Sequence, residues 1–425
     1  MTDESERLIR SVSLVTMALI CGVLLCLRGW FPAPLIRTAL FQASRVGAPP
    51  GNLSERVYQR KGARLRRPGE SAAGLTMVAG AWSETSPERG LRLIDHRGRV
   101  VHAWYVSSED VTGGASDRTL GMGMSPDDRS VHGFALLPEG HVLLNLDYVG
   151  TVRLGPCGEV IWRLPRGGHH SIERTEDGNF WIPTFRERKD ASAFPGLAGP
   201  LFEDRITLVS PEGEVLEEVS VLRVLYDNDL ERYIPKGHPE TGYRIRIEKD
   251  VTHLNDIDPL PSKLADEYPL FAAGDLLVSL RKLSLVFVVD PTSGTVKWHA
   301  SDPFIHQHDP DWMGRGWIGV FDNNDDETER GPMLGGSRVV AIQPHTDSTE
   351  VLFPTPKSDP LYTEVQGSWQ RLENRNLLLT ESQAGRVVEV APDGGTVWEW
   401  ISPPYDEKHV AEVTGARRYD LSRER

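Results

Sequence analysis

Residues 285–298 read LVFVVDPTSGTVKW: a run of β-favouring residues, a turn built on Asp-Pro-Thr-Ser-Gly, and a second strand-like run that ends on tryptophan. Two such runs joined by a short Pro/Gly turn form a β-hairpin. The same design returns at 91–104 (LRLIDHRGRVVHAW), 151–162 (TVRLGPCGEVIW), 206–219 (ITLVSPEGEVLEEV), 339–353 (VVAIQPHTDSTEVLF) and 387–400 (VVEVAPDGGTVWEW). A further strand-like segment precedes each hairpin: GLTMVAG from Gly74, HGFALLPEGHVLLNL from His132, HHSIERTEDGNFWIPTF from His169, the longer 253–280 stretch, HDPDWMGRGWIGVFDN from His308 and GSWQRLENRNLLLTE from Gly367. A unit of about three to four strands recurring roughly every 55 residues cannot bury its faces alone, but radial packing of six copies can. The expectation is an all-β, six-bladed β-propeller over 74–404. The alternative, two packed β-sandwiches, gives no such regular recurrence.

Composition agrees with many short strands. The chain has 425 residues, more than one ordinary core, and contains 40 Gly and 30 Pro. Its formal charge is −14, made of +6 on residues 1–70 (11 Lys/Arg, 5 Asp/Glu) and −20 on the rest. That balance argues against nucleic acid as a partner. Residues 11–27, SVSLVTMALICGVLLCL, carry no charge. As a helix they would extend roughly 26 Å, close to the hydrocarbon thickness, with Arg10 and Arg28 able to snorkel and Trp30 and Phe31 suited to the interface. The expected organisation is a short tail (1–10), a single-pass transmembrane helix (11–29), a basic juxtamembrane linker (30–73), the propeller, and a C-terminal tail (405–425). A cleaved signal peptide is the rival, but Arg28 follows the apolar core directly and no small-x-small site is evident. The flanking arginines lean toward a cytoplasmic body. Cys157 is the one cysteine outside the apolar stretch, so the body has no internal disulfide.

The lead-in segments hold a second regularity. His132, His170 and His308 each lie eight residues before a turn glycine (Gly140, Gly178, Gly316), and His253 opens the corresponding segment of another blade. Equivalent positions of innermost strands meet at the axis, so four imidazoles converge there, and Gly367 at the matching position of the last blade leaves room for a ligand. Arg281 follows the strand GDLLVSL, and Asn255 lies two residues beyond His253. Imidazole serves as nucleophile, proton shuttle or metal ligand near neutral pH. Three histidines suit a metal, but an always-charged Arg281 repels a cation and suits a sulfuryl or phosphoryl oxygen, so neither metal nor cofactor is expected. The acidic run 322–327 lacks the glycine and distal glutamate of a calcium loop and reads as a solvated loop. The polar 227–250 stretch reads either as a lid over the channel or as an inter-blade insertion.

These segments resemble the arylsulfotransferase family, propeller enzymes that move sulfate between phenols without a nucleotide donor. The likeness rests on GLTMVAG with LRLIDHRGRVVHAW, THLNDIDPL with GDLLVSLRKLSLVFVVDPTSGTVKW, HQHDPDWMGRGWIGVFDN, and GSWQRLENRNLLLTESQAGRVVEVAPDGGTVWEW. The resemblance implies that His308 is the sulfate-accepting nucleophile, that His253, His170 and Arg281 complete the catalytic set, and that Asn255 binds substrate. It also implies a ping-pong cycle through a sulfohistidine, with aryl sulfates and phenols as small-molecule partners and a periplasmic or otherwise extracytoplasmic propeller. The chain departs from the family pattern at Arg315-Gly316 and Asn374-Arg375, where Asn-Gly turns are usual, and in carrying an anchor. Two readings from other classes stay open: a non-catalytic propeller that binds protein or glycan, and a quinone- or metal-dependent oxidoreductase.

Overall fold

The computed structural model describes residues 52–82, 88–114, 129–235, 249–328 and 330–420. The expected transmembrane helix (11–29) lies outside the described residues, as do 236–248 of the expected lid. Among the described residues no helix is long and apolar enough to cross a membrane.

Six antiparallel sheets form a six-bladed β-propeller. Each of the six expected hairpins supplies the two outer strands of one blade; 285–298, for example, is Leu285–Val289 paired with Val296–Ala300. The innermost strands are Val131–Leu136, Glu173–Arg174, Leu254–Pro259, His308–Gly314, Trp369–Arg371 and Val413–Tyr419. Residues on or beside all six line one axial cavity. The core is a ring of apolar clusters between neighbouring blades. One joins Met77 and Leu91 of the first blade to Val142 and Leu144 of the second, and another joins Trp398 and Val387 of the sixth to Val78 of the first. A strand exposes alternate faces to its two neighbours, which explains why central strands such as Leu276–Leu280 are apolar and buried at every position.

The hairpin tryptophans work between blades. Trp104 Nε1 donates to the Gly155 carbonyl (3.1 Å), Trp162 Nε1 to Pro211 (2.9 Å) and Trp398 Nε1 to His96 (2.8 Å), each in the hairpin turn of the next blade. A Cβ at Gly213 would come within 2.7 Å of the Trp162 ring, so this turn needs glycine for contact as well as for its φ of +87°.

The expected domain limits change at both ends. The presumed C-terminal tail supplies Val413–Tyr419, which pairs with Leu75–Trp82 and is the innermost strand of the first blade. The presumed linker supplies Gly62–Leu65, a fifth strand on the sixth blade beside Thr396–Ile401, and Leu53–Glu55, paired with His409–Ala411. Arg60 and Arg66 both reach the buried Glu399 at 2.8 Å, so part of the basic run is an ion-paired strap. The ring is therefore closed by strands from the two ends of the folded region, the usual way for a propeller to protect its edges.

A chain ended after Glu412 loses the innermost strand of the first blade. Its thermal unfolding midpoint should fall by about 10 °C or more relative to a chain ended at Asp420. Midpoints within about 2 °C of each other would show that this strand contributes little to closure.

Candidate functional site

The propeller collects the register-matched histidines at one end of the axial cavity. His132 lies on the first strand of the second blade, His170 and His253 precede those of the third and fourth, and His308 opens that of the fifth. Ring centroids are 4.2 Å apart for His132–His170, 5.0 Å for His170–His253 and 6.5 Å for His132–His308. His170 and His253 share a left-handed backbone with φ of 53°, uncommon outside glycine and concentrated at functional sites. The remaining two positions of the ring are Gly367 and Glu412, whose Oε1 accepts from Ser54 Oγ at 2.6 Å.

All four imidazoles are tied through Nδ1. His308 Nδ1 lies 2.7 Å from Asn323 Oδ1, and Asn323 Nδ2 donates to the carbonyls of Thr363 (3.0 Å) and Gln366 (2.8 Å). Those two carbonyls fix the orientation of the amide, so the oxygen faces the ring, the His308 proton sits on Nδ1 and the lone pair is on Nε2. His170 Nδ1 lies 2.8 Å from His169 Nδ1, His253 Nδ1 2.6 Å from Asp250 Oδ2, and His132 Nδ1 3.3 Å from Asp147 Oδ2. Among the described residues none is hydrogen-bonded to Nε2 of these four rings.

The tethers differ in chemistry: an amide behind His308, an imidazole behind His170, and carboxyl groups behind His253 and His132. Burial holds His308 well below the ordinary imidazole value, helped by Arg281, and holds His170 well below it too, helped by His132. Burial likewise brings His169 down to about 4. These three rings are neutral at pH 7. Burial alone would raise the Asp250 carboxyl, but His253 and Lys282 outweigh it and keep it ionised. Asp204, 3.7 Å from His169 Nε2, is pushed up to about 7 by burial and by the charge of Asp250.

Arg281 follows Leu276–Leu280. Its Nη2 donates to the Glu364 carbonyl at 3.4 Å and lies 3.8 Å from Asp325 Oδ2, while its Nε is buried without a partner. A buried, unsatisfied guanidinium donor beside neutral imidazoles is a site for an anion's oxygen. Asn255 lines the cavity with His308, but its Nδ2 donates to the Gln307 carbonyl at 2.7 Å and its Oδ1 is unpaired. One N–H of the amide is thus spent on the backbone next to His308. Gly367 lines the axial cavity, but its glycine is needed for packing: a Cβ there would stand 2.4 Å from the Phe321 ring.

The 322–327 run is not simply a solvated loop. Asp322 and Asn323 are fully buried, the first paired with Arg338 at 2.7 Å and the second holding His308. The partners Asn323 and Asp147 were missed, although a signal exists: Asp147, Arg281 and Asn323 are each the seventh residue after the turn glycines Gly140, Gly274 and Gly316. Among the described residues, donor atoms of His132, Asp147 and His170 lie within 4.8 Å of one another, as ligands of one ion would. Hydrogen bonding accounts for this convergence: Asp147 Oδ2 is beside His132 Nδ1, and Oδ1 accepts from the His170 backbone N–H at 3.4 Å.

A family model described as arylsulfotransferase (ASST) matches residues 133–402. No curated protein matches the sequence. Among solved structures, a protein of unknown function from Bacteroides caccae is similar at 12% identity, covering 81% of this chain and 98% of that one, with a TM-score of 0.48. A streptogramin B lyase is similar at 12% identity, covering 84% and 98%, with a TM-score of 0.41. The virginiamycin B lyase from Staphylococcus aureus is similar at 12% identity over 65% and 71%, with a TM-score of 0.35. At such scores no chemistry is carried over.

The His169 ring gives a stability signature. Unfolded, it binds a proton below its ordinary 6.5; folded, only near 4. Between those values the unfolded chain holds more protons, so this contribution is present above pH 6.5 and lost as pH falls. From pH 7 to 4.5, denaturant titration should show wild type losing about 2 kcal/mol more stability than His169→Asn. Equal losses would refute the neutral burial of this ring.

Proposed function

The chain belongs to the arylsulfotransferase family, and from that premise we propose that it transfers a sulfuryl group from an aryl sulfate to a phenol through a covalent adduct on His308 Nε2. The observation that carries this reading is the open Nε2 of a neutral His308, its Nδ1 proton held by Asn323, close to an Arg281 guanidinium whose Nε is unsatisfied. A neutral imidazole attacks the sulfur, the aryl oxygen leaves, and a second phenol then takes the group from the histidine. While the adduct stands, the imidazolium charge is shared with the Asn323 carbonyl. Arg281, His253 and His170, with the second N–H of the Asn255 amide, face the sulfuryl oxygens and stabilise the charge spread over them in the transition state.

The proposed setting is an extracytoplasmic propeller held by an N-terminal membrane anchor over 11–29. The uncharged 11–27 run supports the anchor, and the family supports the compartment. The proposed partners are small aryl sulfates and phenols, with no cofactor.

Full-length protein incubated briefly with 4-nitrophenyl sulfate and no acceptor should gain one sulfuryl group by intact-mass spectrometry, and His308→Ala should gain none. Arg281→Ala should slow the gain by about 10²-fold, as expected for loss of one transition-state donor. Because His308 is held neutral, the wild-type rate should not decline between pH 7.5 and about 5.5, where a free imidazole is mostly protonated. A folded wild type that gains no mass from several aryl donors would instead favour a propeller that binds without catalysis.

A further inference from the structure

We infer that the His132–Asp147 pair is the acid–base group of the transfer, giving a proton to the departing aryl oxygen and taking one from the incoming phenol; this rests on the sulfuryl-transfer reading above. An in-line displacement puts the leaving oxygen across the sulfur from the nucleophile. In a ring of six blades the second stands opposite the fifth, so the imidazole across the axis from His308 is His132. The two rings are 6.5 Å apart between centroids, with planes within 25° of each other. His170 and His253 come from the third and fourth blades, between them along the ring.

Charge narrows the choice in the same direction. An imidazole that carries a proton during the reaction needs a negative partner. Two of the four have one at Nδ1: His132 has Asp147, and His253 has Asp250. His170 leans on another neutral ring and is kept uncharged by burial. Asp250 is shared with Lys282, 3.4 Å away, and the fourth blade also carries Arg281. His253 therefore belongs to a cationic group suited to the sulfuryl oxygens, which leaves His132 for the aryl oxygen. The ionisable groups around His132 are Asp147, His169, His170, His308, Glu412 and Asp309. Its Nε2 has no hydrogen-bond partner among the described residues.

The bookkeeping closes without a co-reactant. In the first half, the His308 Nε2 lone pair forms the N–S bond and the S–O bond breaks. Its electron pair goes to the aryl oxygen, which takes the proton from His132 Nε2. In the second half, the acceptor phenol gives its proton to His132 Nε2 as its oxygen attacks sulfur, and the N–S pair returns to His308. Asp147 stays ionised throughout, holding the ring by Nδ1 and balancing its charge, as a positioning residue does.

The test varies the basicity of the leaving group. Phenolate is a much stronger base than 4-nitrophenolate and depends far more on a proton to leave. His132→Gln should slow adduct formation from phenyl sulfate by about 10²-fold, but from 4-nitrophenyl sulfate by only about 3-fold, and Asp147→Asn should show the same asymmetry. Each variant is first checked by its thermal midpoint. Equal losses with the two donors would mean a structural role and overturn the assignment, as would no loss at all. A divalent ion bound in wild type and missing from His132→Gln would overturn it too, by making His132 a ligand. If wild type forms no adduct from either donor, the transfer reading itself falls and takes this assignment with it.

Discussion

The ladder between Val413–Tyr419 and Leu75–Trp82 closes the ring, and the geometry of the axis depends on it. Each blade packs only on its neighbours, so two side chains on opposite blades keep a fixed separation only if the whole circuit is closed. His132 and His308 are such a pair. The closing strand also braces both adjoining blades directly: Thr414 Oγ1 donates to the Val131 carbonyl beside His132, and the Arg418 backbone N–H donates to Gln370 Oε1 of the sixth blade at 2.7 Å. Closure and preorganisation of the imidazoles are therefore one property of the fold.

Within that frame, burial and tethering pull in different directions, and the site uses both. Removing an imidazole from water disfavours its charged form, which keeps His308 and His170 neutral and leaves His308 a lone pair on Nε2. The other two rings have a carboxyl group at Nδ1, Asp147 behind His132 and Asp250 behind His253. Four chemically identical side chains in equivalent positions are thus split into two kinds by the residue behind each ring. Two neutral tethers, Asn323 and His169, stand against two charged ones, Asp147 and Asp250. Environment alone can thus set like groups apart within one pocket.

The hairpins were legible because their signals are local, strand-length apolar runs on either side of a turn glycine, even where that glycine also meets the preceding blade's tryptophan, as Gly213 meets Trp162. The histidines were legible because repetition puts equivalent residues at one axis. The closing strand was not. VTGARRY pairs with a segment more than 300 residues earlier, and it lies in the stretch expected to be a C-terminal tail. In the fold its adjacent arginines point to opposite faces: Arg417 meets Glu173 at 3.5 Å in the channel, and Arg418 meets the buried Glu389 at 3.4 Å. Asn323 was hidden inside an acidic run whose composition suggested solvent. Asn323 and Asp147 share with Arg281 the seventh place after a turn glycine, a spacing visible only when the blades are aligned on those glycines.

Below the histidines the channel changes character. Alternate residues of a strand face the same way, and on the fourth and fifth blades those facing inward are Asp256 and Asp258, Asp309 and Asp311. Glu173 joins them from the third blade, and Arg417 is the cation paired with it. One guanidinium cannot balance five carboxyls in a confined space. Burial accordingly pushes Asp256, Asp258 and Asp311 well above the ordinary carboxyl range and Asp309 up to about 6. The opposite side of the imidazole layer carries Arg281 and Lys282. The carboxyl cluster of the inner strands thus has one guanidinium against it, whereas Arg281 and Lys282 each have a carboxylate of their own, Asp325 and Asp250. An anion is therefore disfavoured beside the carboxyl cluster and finds a free donor in the unsatisfied Nε of Arg281.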